Sequence, residues 1–233
     1  MLEINNLKKQ YGNTVVLNIP ELTIPDGQSF GMVGNNGAGK TTFFNLILDL
    51  IRPTEGYILN GGIKVSENEN WKFRTSAYLD ESFLIGYLLA DEYFYMLGDL
   101  RGWNKKEVDG FLVQFSELFN GEILGNKKYI RDLSKGNQKK VGVVGALIGN
   151  PELILLDEPF ANLDPTTQMR LKKLLLKIVK DEKKTVLISS HNLNHITDVA
   201  ERIVVLEKGE VIKDIHTNDE TLKELEEVFA VIM

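Results

Sequence analysis

The stretch Gly34-Asn35-Asn36-Gly37-Ala38-Gly39-Lys40-Thr41 fits the pattern G-x4-G-K-T and lies between an apolar run at 30–33 and a predicted helix at 40–50. Glycines let this connection turn with its N–H groups inward, and the N-terminus of the helix favours phosphate oxygens. The strand–turn–helix context disfavours the alternative of a glycine-rich turn without a ligand. We therefore predict a phosphate-binding loop in which Lys40 reaches the β and γ phosphates of a nucleotide and the Thr41 hydroxyl binds Mg²⁺.

A second segment with chemical potential is Leu153-Ile154-Leu155-Leu156-Asp157-Glu158, where four aliphatic residues end in two carboxylates. Such a run is typical of a buried parallel strand, and ligands bind at the carboxyl edge of α/β sheets. Two adjacent carboxylates at that edge are costly unless a metal or a proton engages them. Asp157 is suited to Mg²⁺ and Glu158 to polarising an attacking water. Taken alone, the segment also fits a solvated strand end that caps the next turn.

Alternating short apolar runs and longer periodic stretches predict an α/β fold with a mainly parallel sheet. An N-terminal group of antiparallel strands is expected at 2–7, 15–17 and 22–24, and a strand is expected within 53–62. The segment 82–150 has apolar and aromatic residues at helical spacing, which predicts a helical insertion. The remaining predicted elements are strands at 153–156 and 186–189, helices from 165 and at 194–200, and a hairpin of 203–206 with 210–212.

Three further features are ambiguous when taken singly. His191 follows the apolar run at 186–190 and is expected at the same sheet edge as the two carboxylates. A lone histidine in such a place is more often structural or exposed, the class to which we assign His195 and His216. Asp164 before a proline is an ordinary helix start. The segment 133–140 is typical of a capped helix start with basic residues.

Composition excludes several classes of protein. The chain has 233 residues and no cysteine, so disulfides, iron–sulfur ligation and thiolate zinc sites are excluded. Its 27 basic and 33 acidic residues give a net charge of −6, which argues against a nucleic-acid partner. No run approaches the ~20 apolar residues of a membrane span, and the start lacks the basic and apolar regions of a signal peptide. We expect a cytosolic location.

Taken together, these segments resemble the ATPase subunit of ATP-binding cassette (ABC) proteins over nearly the whole chain. The stretch 34–41 resembles the family's Walker A motif, 153–158 its Walker B motif, and 161–164 its D-loop. The most specific element is 133–137, which is similar to the signature LSGGQ. The resemblance implies a single ABC domain at 1–233 with a P-loop NTPase core. Within it, 1–81 and 151–233 would form the RecA-like core with an antiparallel β-subdomain, and 82–150 the helical signature subdomain.

The resemblance also assigns roles to individual residues. The catalytic residues implied are Glu158, His191 and Lys40. The residues implied in binding ATP are Tyr11, Gly34, Asn35, Asn36, Gly37, Ala38, Gly39, Lys40, Thr41, Thr42, Glu81, Ser134, Gly136 and Asp164. Those implied in binding Mg²⁺ are Thr41, Asp157 and Glu81. Tyr11 stands where the family places an aromatic residue that stacks on adenine.

The chain departs from the family pattern at three positions. Lys135 replaces the first glycine of the signature, and Asn137 replaces its final glutamine. The cation at 135 would either favour ATP or point outward. Glu81 replaces the Q-loop glutamine; a carboxylate can still bind Mg²⁺, but it adds negative charge beside the triphosphate.

The family implies a mechanism in which two ATPase subunits pair head to tail. ATP on the Walker A motif of one chain would meet Ser134 and Gly136 of the other. Glu158 would orient water, His191 would steady the γ-phosphate, and Asp164 would communicate between the sites. ATP binding would close the dimer, and Mg²⁺-dependent hydrolysis would reopen it. These steps would drive transport, more often export, through separate membrane subunits.

An apolar, aromatic region at 82–97 is the candidate docking surface for membrane subunits, although many of its side chains could instead fill a core. Its members are Phe83, Leu84, Tyr87, Leu88, Tyr93, Phe94 and Tyr95. The tail 225–229 resembles that of ATPases serving ABC-2-type exporters, so we expect a subunit peripheral to the inner face of the cell membrane. The alternative is a soluble ABC ATPase of cluster assembly or of another non-transport process. A kinase is disfavoured because the sequence shows no evident acceptor pocket. A GTPase is disfavoured because the sequence lacks the aspartate that reads guanine.

Overall fold

The computed structural model describes residues 1–232 and contains two sheets flanked by helices. The strands are β1 (Leu2–Tyr11), β2 (Thr14–Ile24), β3 (Ser29–Val33), β4 (Glu55–Asn60), β5 (Ile63–Lys64), β6 (Thr75–Tyr78), β7 (Leu153–Asp157), β8 (Thr185–Ser190), β9 (Arg202–Glu207) and β10 (Glu210–His216). The α-helices are α1 (Lys40–Ile47), α2 (Ala90–Leu100), α3 (Lys105–Leu112), α4 (Ser116–Phe119), α5 (Lys135–Gly145), α6 (Pro165–Lys180), α7 (Leu193–Thr197) and α8 (Thr221–Ile232). Short 3₁₀ turns lie at Asn70–Arg74, Glu81–Phe83, Val113–Phe115 and Ile130–Asp132.

The larger sheet has the strand order β10-β9-β3-β8-β7-β6, and all of its pairings are parallel except that of β10 with β9. Strands β3, β7 and β8 are buried along their whole length because apolar elements cover both faces of the sheet. Ile154 and Leu156 face one hydrophobic cluster, while Leu153 and Leu155 face the other. This architecture confirms the predicted α/β class with a mainly parallel core sheet.

The second sheet is antiparallel with the order β2-β1-β4-β5, which confirms the predicted N-terminal β-layer. The prediction of separate strands at 15–17 and 22–24 was wrong, because β2 is one strand of 11 residues. Pro20 suggested a break, but β2 is an edge strand and a proline there removes no hydrogen bond that the sheet needs. Accordingly, Pro20 has no partner in the pairing with β1, where Asn6 adopts a positive φ of 46°.

The insertion at 82–150 is helical in large part, and its aromatic residues form a chain of ring contacts. Ring centroids lie 5.8 Å apart for Phe94 and Phe119 and 6.1 Å apart for Phe115 and Phe119. All three rings are buried in the cluster that also covers one face of the parallel sheet. Phe94 therefore belongs to the core, which is the alternative expected for many side chains of the region 82–97, and it is not part of a docking surface.

Residues 83–89 were predicted on helices, but apart from a 3₁₀ turn ending at Phe83 they form an irregular connection that leads into α2. In this connection Phe83 and Tyr87 are exposed, whereas Leu84 and Leu88 pack against the hydrophobic core.

Two predicted helices are shorter than expected. Helix α1 ends at Ile47 because Asp49 adopts a positive φ of 53° and closes a Schellman turn, in which the N–H of Leu50 donates to Asn45 O at 2.9 Å. Helix α7 ends at Thr197, and the apolar residues at 199–200 are buried without extending it. Among residues 1–232, no helix combines the length and the apolar character needed to cross a membrane.

Candidate functional site

The glycine-rich loop joins the end of β3 to the start of α1, as its sequence predicts. Gly37 and Gly39 have φ angles of +84° and +110°, which residues with a Cβ rarely adopt. A Cβ on Gly39 would also lie 3.0 Å from the carbonyl oxygen of Val16. These glycines therefore permit both the turn and the close approach of strand β2.

Lys40 lies at the first position of α1 and is buried. Its Nζ donates to the carbonyl oxygens of Gly34 at 2.7 Å and Asn35 at 3.2 Å. Burial lowers the pKa of Lys40, and the nearby carboxylates Glu158 and Asp157 oppose that shift. A cation with little water around it attracts phosphate oxygens more strongly than an exposed cation does.

Asp157 connects the end of β7 to the glycine-rich loop. One carboxylate oxygen accepts from Thr41 Oγ1 at 2.7 Å, and the other accepts from Ser189 Oγ. Carboxylate and hydroxyl oxygens are ligands that Mg²⁺ prefers, so this pair fits the cation that the sequence predicts. Sequence reasoning missed Ser189, although its place at the end of the neighbouring strand β8 was the available signal.

Glu158 and His191 are in direct contact. Glu158 Oε1 accepts from the His191 backbone N–H at 2.9 Å and lies 2.8 Å from His191 Nδ1. The second oxygen accepts from Ser190 Oγ at 3.3 Å, and Ser190 is another residue that sequence reasoning missed. The main-chain N–H of Glu158 also donates to Ser189. The carboxylate is thus held in one orientation at the carboxyl edge of the sheet.

These groups surround a cavity of about 510 Å³, a volume within the range of small-ligand sites. The predicted site residues among its lining are Asn36, Gly37, Gly39, Lys40, Thr41, Thr42, Asp157 and Glu158. Backbone amides, the two cations Lys40 and Lys139, and the three carboxylates Asp80, Asp157 and Glu158 therefore meet at a single opening. Groups of these kinds are suited to bind a nucleoside triphosphate together with its divalent cation.

Other predicted site residues lie outside this lining. Tyr11 is 54% exposed at the end of β1, with Lys9 Nζ 4.7 Å from its ring centroid. Ser134 caps α5 by accepting from the Asn137 N–H at 3.2 Å. Asp164 caps α6 by accepting from the Thr167 N–H at 3.0 Å, which with the Thr167 hydroxyl lowers the pKa of Asp164.

Gly136 lies against the loop that carries Asp164, since a Cβ there would sit 3.1 Å from Asn162 O.

Glu81 borders a neighbouring cleft with Arg131 and Lys135. Its Oε1 accepts from Tyr78 OH at 3.0 Å and lies 3.7 Å from Lys139 Nζ. Sequence reasoning missed Lys139, which also lines the 510 Å³ cavity.

A family model described as ABC transporter matches residues 17–161, which is more than half of the chain. This chain belongs to the ABC transporter family. It is 36% identical to the uncharacterized ABC transporter ATP-binding protein YhaQ of Bacillus subtilis, over 91% of this chain and 70% of that protein. It is 31% identical to the bacitracin transport ATP-binding protein BcrA of Enterococcus faecalis, over 94% and 70%. It is also 31% identical to the lantibiotic transport ATP-binding protein SrtF of Streptococcus pyogenes, over 97% and 95%.

Solved ABC structures agree with this membership. The dimeric ATP-binding cassette MJ0796 bound to ADP and Pi matches with a TM-score of 0.84 and 26% identity, over 94% of this chain and 99% of that one. An ATP-binding subunit of an ABC transporter matches with a TM-score of 0.86 and 25% identity, over 99% and 98%. This ABC chain is an ATPase, and the cavity beside Lys40 is its candidate nucleotide site.

Proposed function

We propose that this ABC subunit binds and hydrolyses ATP in the cavity beside Lys40 and thereby drives export through separate membrane subunits. The observation that carries the proposal is the convergence of Lys40, the Thr41–Asp157 pair and Glu158 on one opening. His191 contacts Glu158 from outside the cavity lining. A glycine-rich loop without catalytic partners would bind phosphate only. Here a cation, a metal-binding pair and an oriented carboxylate are all present.

Phosphate binding begins with the loop at 34–41. Its N–H groups and those at the N-terminus of α1 would donate to the phosphate oxygens, and Lys40 would exchange its carbonyl partners for the β and γ phosphates. Thr41 and Asp157 would hold Mg²⁺, whereas Glu81, the third oxygen donor that the resemblance implies, borders the neighbouring cleft and pairs with Lys139. When bound, the cation offsets the charge that develops on the phosphate oxygens.

Hydrolysis depends on Glu158, which would orient the attacking water toward the γ-phosphate. His191 contacts that carboxylate and would steady the γ-phosphate from the same edge. Lys40 would stabilise the charge that builds up as the bond to ADP breaks. Tyr11 would stack on adenine through its exposed ring.

A second ATPase subunit would complete each site. Ser134 and Gly136 lie at the start of α5 and do not line the cavity of their own chain. In a head-to-tail pair they would approach the ATP held by the partner, with Asp164 close to both sites. The dimeric state of the similar cassette MJ0796 supports this arrangement. Within each chain, 1–81 with 151–233 would act as the catalytic core and 82–150 as the signature subdomain.

Membrane subunits would dock on the region 82–97. Phe83 and Tyr87 are 57% and 72% exposed, whereas Phe94 belongs to the core and drops out of the surface. Exposed aromatic side chains of this size are typical of partner sites. The bacitracin transport and lantibiotic transport proteins among the relatives support a transporter role for this subunit. The subunit would then act at the cytoplasmic face of the membrane.

The test is a pull-down of the tagged Glu158→Gln chain with ATP from gently solubilised native membranes, followed by mass spectrometry. We expect a polytopic membrane protein at stoichiometric recovery. Adding Tyr87→Ser should reduce that recovery, while Leu100→Ser, an equally exposed apolar change outside the docking region, should not. Recovery of soluble partners only would overturn the transporter proposal and favour a soluble ABC ATPase, such as one of cluster assembly.

A further inference from the structure

Lys139 is a buried cation whose contacts the motif analysis does not explain. It lies in the second turn of α5, just after the signature segment, and is only 5% exposed. Its Nζ donates to the main-chain oxygen of Glu158 at 2.8 Å and lies 3.7 Å from Glu81 Oε1. It is also 5.6 Å from the centroid of the Tyr78 ring. The Lys139 side chain thus connects helix α5 to Glu158 at the carboxyl edge of the large sheet.

The first contact bears on the conformation of Glu158. This residue has a φ of +47°, in the left-handed region that residues with a Cβ seldom occupy. Its N–H donates to Ser189, and its carbonyl accepts from Lys139, so the peptide groups on both sides are fixed. Because the backbone sets the direction of the side chain, the Lys139 hydrogen bond helps to aim the carboxylate.

The second contact supplies a counter-charge. A buried ammonium is strongly destabilising unless an anion and hydrogen-bond acceptors surround it. Glu81, which follows β6, is the carboxylate with which Lys139 forms an ion pair, and Tyr78 OH donates to the same oxygen. The carboxylate that replaces the Q-loop glutamine and the buried lysine after the signature segment therefore balance each other.

We propose that Lys139 is a positioning residue for ATP hydrolysis: with Glu81 as its counter-ion, it holds the Glu158 backbone in the conformation that aims the catalytic carboxylate. Two separable effects follow. The ion pair stabilises the fold, and the hydrogen bond to the Glu158 carbonyl supports turnover. A substitution that keeps charges balanced but removes the donor should restore the first effect and not the second.

The experiment compares the full-length wild type with Glu81→Gln, Lys139→Met and the double variant. Methionine keeps the length of the lysine stem but neither donates a hydrogen bond nor carries charge. Each single change should lower the midpoint of thermal unfolding by roughly 5 °C or more, because it leaves one buried charge unpaired. The double variant contains neither charge, so its midpoint of thermal unfolding should lie within about 2 °C of that of the wild type.

Turnover should separate from stability in the same set. Both proteins with Lys139→Met should lose on the order of 10- to 100-fold in kcat, and equally in the rate constant of hydrolysis in a single-turnover experiment. Their KM and their affinity for a fluorescent ATP analogue should stay within about twofold of wild type. The double variant provides this measurement even if the single variant folds poorly. A purely structural role would restore kcat together with the unfolding midpoint.

Lys140→Met is the matched control on the same helix. Lys140 is 7% exposed and pairs with Glu122 at 3.6 Å, but its salt bridge leads away from the catalytic edge. It should lower the unfolding midpoint without lowering kcat. An equal loss of kcat in Lys140→Met, or a kcat for the double variant within about twofold of wild type, would overturn the positioning role.

The Mg²⁺ dependence separates this role of Glu81 from that of a metal ligand. If Glu81 acts as a counter-ion, Glu81→Gln should not change the Mg²⁺ concentration that gives half-maximal activity. A rise in that concentration for Glu81→Gln, together with additive effects on the unfolding midpoint in the double variant, would overturn the counter-ion assignment.

Discussion

At the residue scale, Glu158 has the contacts expected of a group that orients water. Both its carboxylate oxygens accept hydrogen bonds, from His191 and Ser190, and its backbone is fixed by Ser189 and Lys139. A carboxylate held in this way loses little freedom when water binds to it. Its charge, more than its shape, should therefore determine its contribution to turnover.

Replacing Glu158 by Gln should lower kcat by on the order of 100-fold or more, because the amide cannot accept a proton from water. ATP binding should stay within a few-fold of wild type, since the side chain keeps its size. Steady-state ATPase assays and titration with a fluorescent ATP analogue would measure the two quantities. Glu152→Gln, just before the opposite end of β7, is the control and should leave turnover unchanged. Near-normal hydrolysis by Glu158→Gln would contradict the assignment.

His195 should make stability depend on pH. Its ring lies 5.0 Å from that of Phe160, and its Nδ1 is buried without a hydrogen-bond partner. Burial lowers the pKa of His195, and Lys172 lowers it further, while Asp198 and Glu158 oppose the shift. The folded state therefore prefers the neutral ring, and stability should decline as the pH falls below the unfolded pKa of about 6.5.

The measurement is the midpoint of thermal unfolding between pH 8 and pH 5.5. The wild type should lose more stability over this range than His195→Gln, which cannot take up a proton. His216→Gln, at the end of the edge strand β10, is the control and should keep the wild-type dependence. Equal pH dependence for all three proteins would contradict the role of His195.

The sequence alone could predict the site residues that belong to continuous motifs. Lys40, Thr41 and Asp157 were identifiable because a strand or a turn places each of them directly. Lys139 and Ser189 were not, because they contact Glu158 and Asp157 across 19 and 32 residues of chain. Such contacts depend on which helix and which strand become neighbours, and local sequence does not encode that.

At the scale of elements, burial decided which predictions succeeded. Strands β3, β7 and β8 were predicted closely because full burial requires continuous apolar residues. Strand β2 was predicted in two pieces because an edge strand tolerates Pro20 and outward polar residues. The irregular connection at 83–89 was mistaken for helix because its apolar residues have near-helical spacing, although the backbone forms no α-helix there.

Two glycines in helices offer a matched test of packing between elements. A Cβ on Gly142 of α5 would overlap the Tyr78 ring of β6, whereas a Cβ on Gly110 of α3 meets nothing within 4 Å. Gly142→Ala should lower the unfolding midpoint by roughly 4–10 °C, because overpacking outweighs the gain in helix propensity. Gly110→Ala should raise it by roughly 2–4 °C through helix propensity alone. Thermal denaturation measures both, and equal shifts would contradict the close approach of α5 to β6.

At the scale of the whole molecule, the described chain keeps its predicted phosphate-binding residues and its predicted signature residues on separate surfaces. Lys40 lines the cavity, while Ser134 caps α5 outside it. If each site is composite, two differently inactivated chains should complement each other. Lys40→Ala removes the phosphate-binding cation. Ser134→Asp keeps an equally good helix cap but places a carboxylate where the partner's phosphate would lie.

Each variant alone should be nearly inactive, and an equal mixture should recover up to about a quarter of the wild-type rate, because half of randomly formed dimers carry one intact composite site. The measurement is ATPase activity as a function of mixing ratio at constant total protein. A mixture of Lys40→Ala with the Lys40→Ala, Ser134→Asp double variant is the control, since no pairing of these chains contains an intact site. Absence of recovery in the first mixture would place Ser134 outside the partner's site and leave each chain to hydrolyse ATP alone.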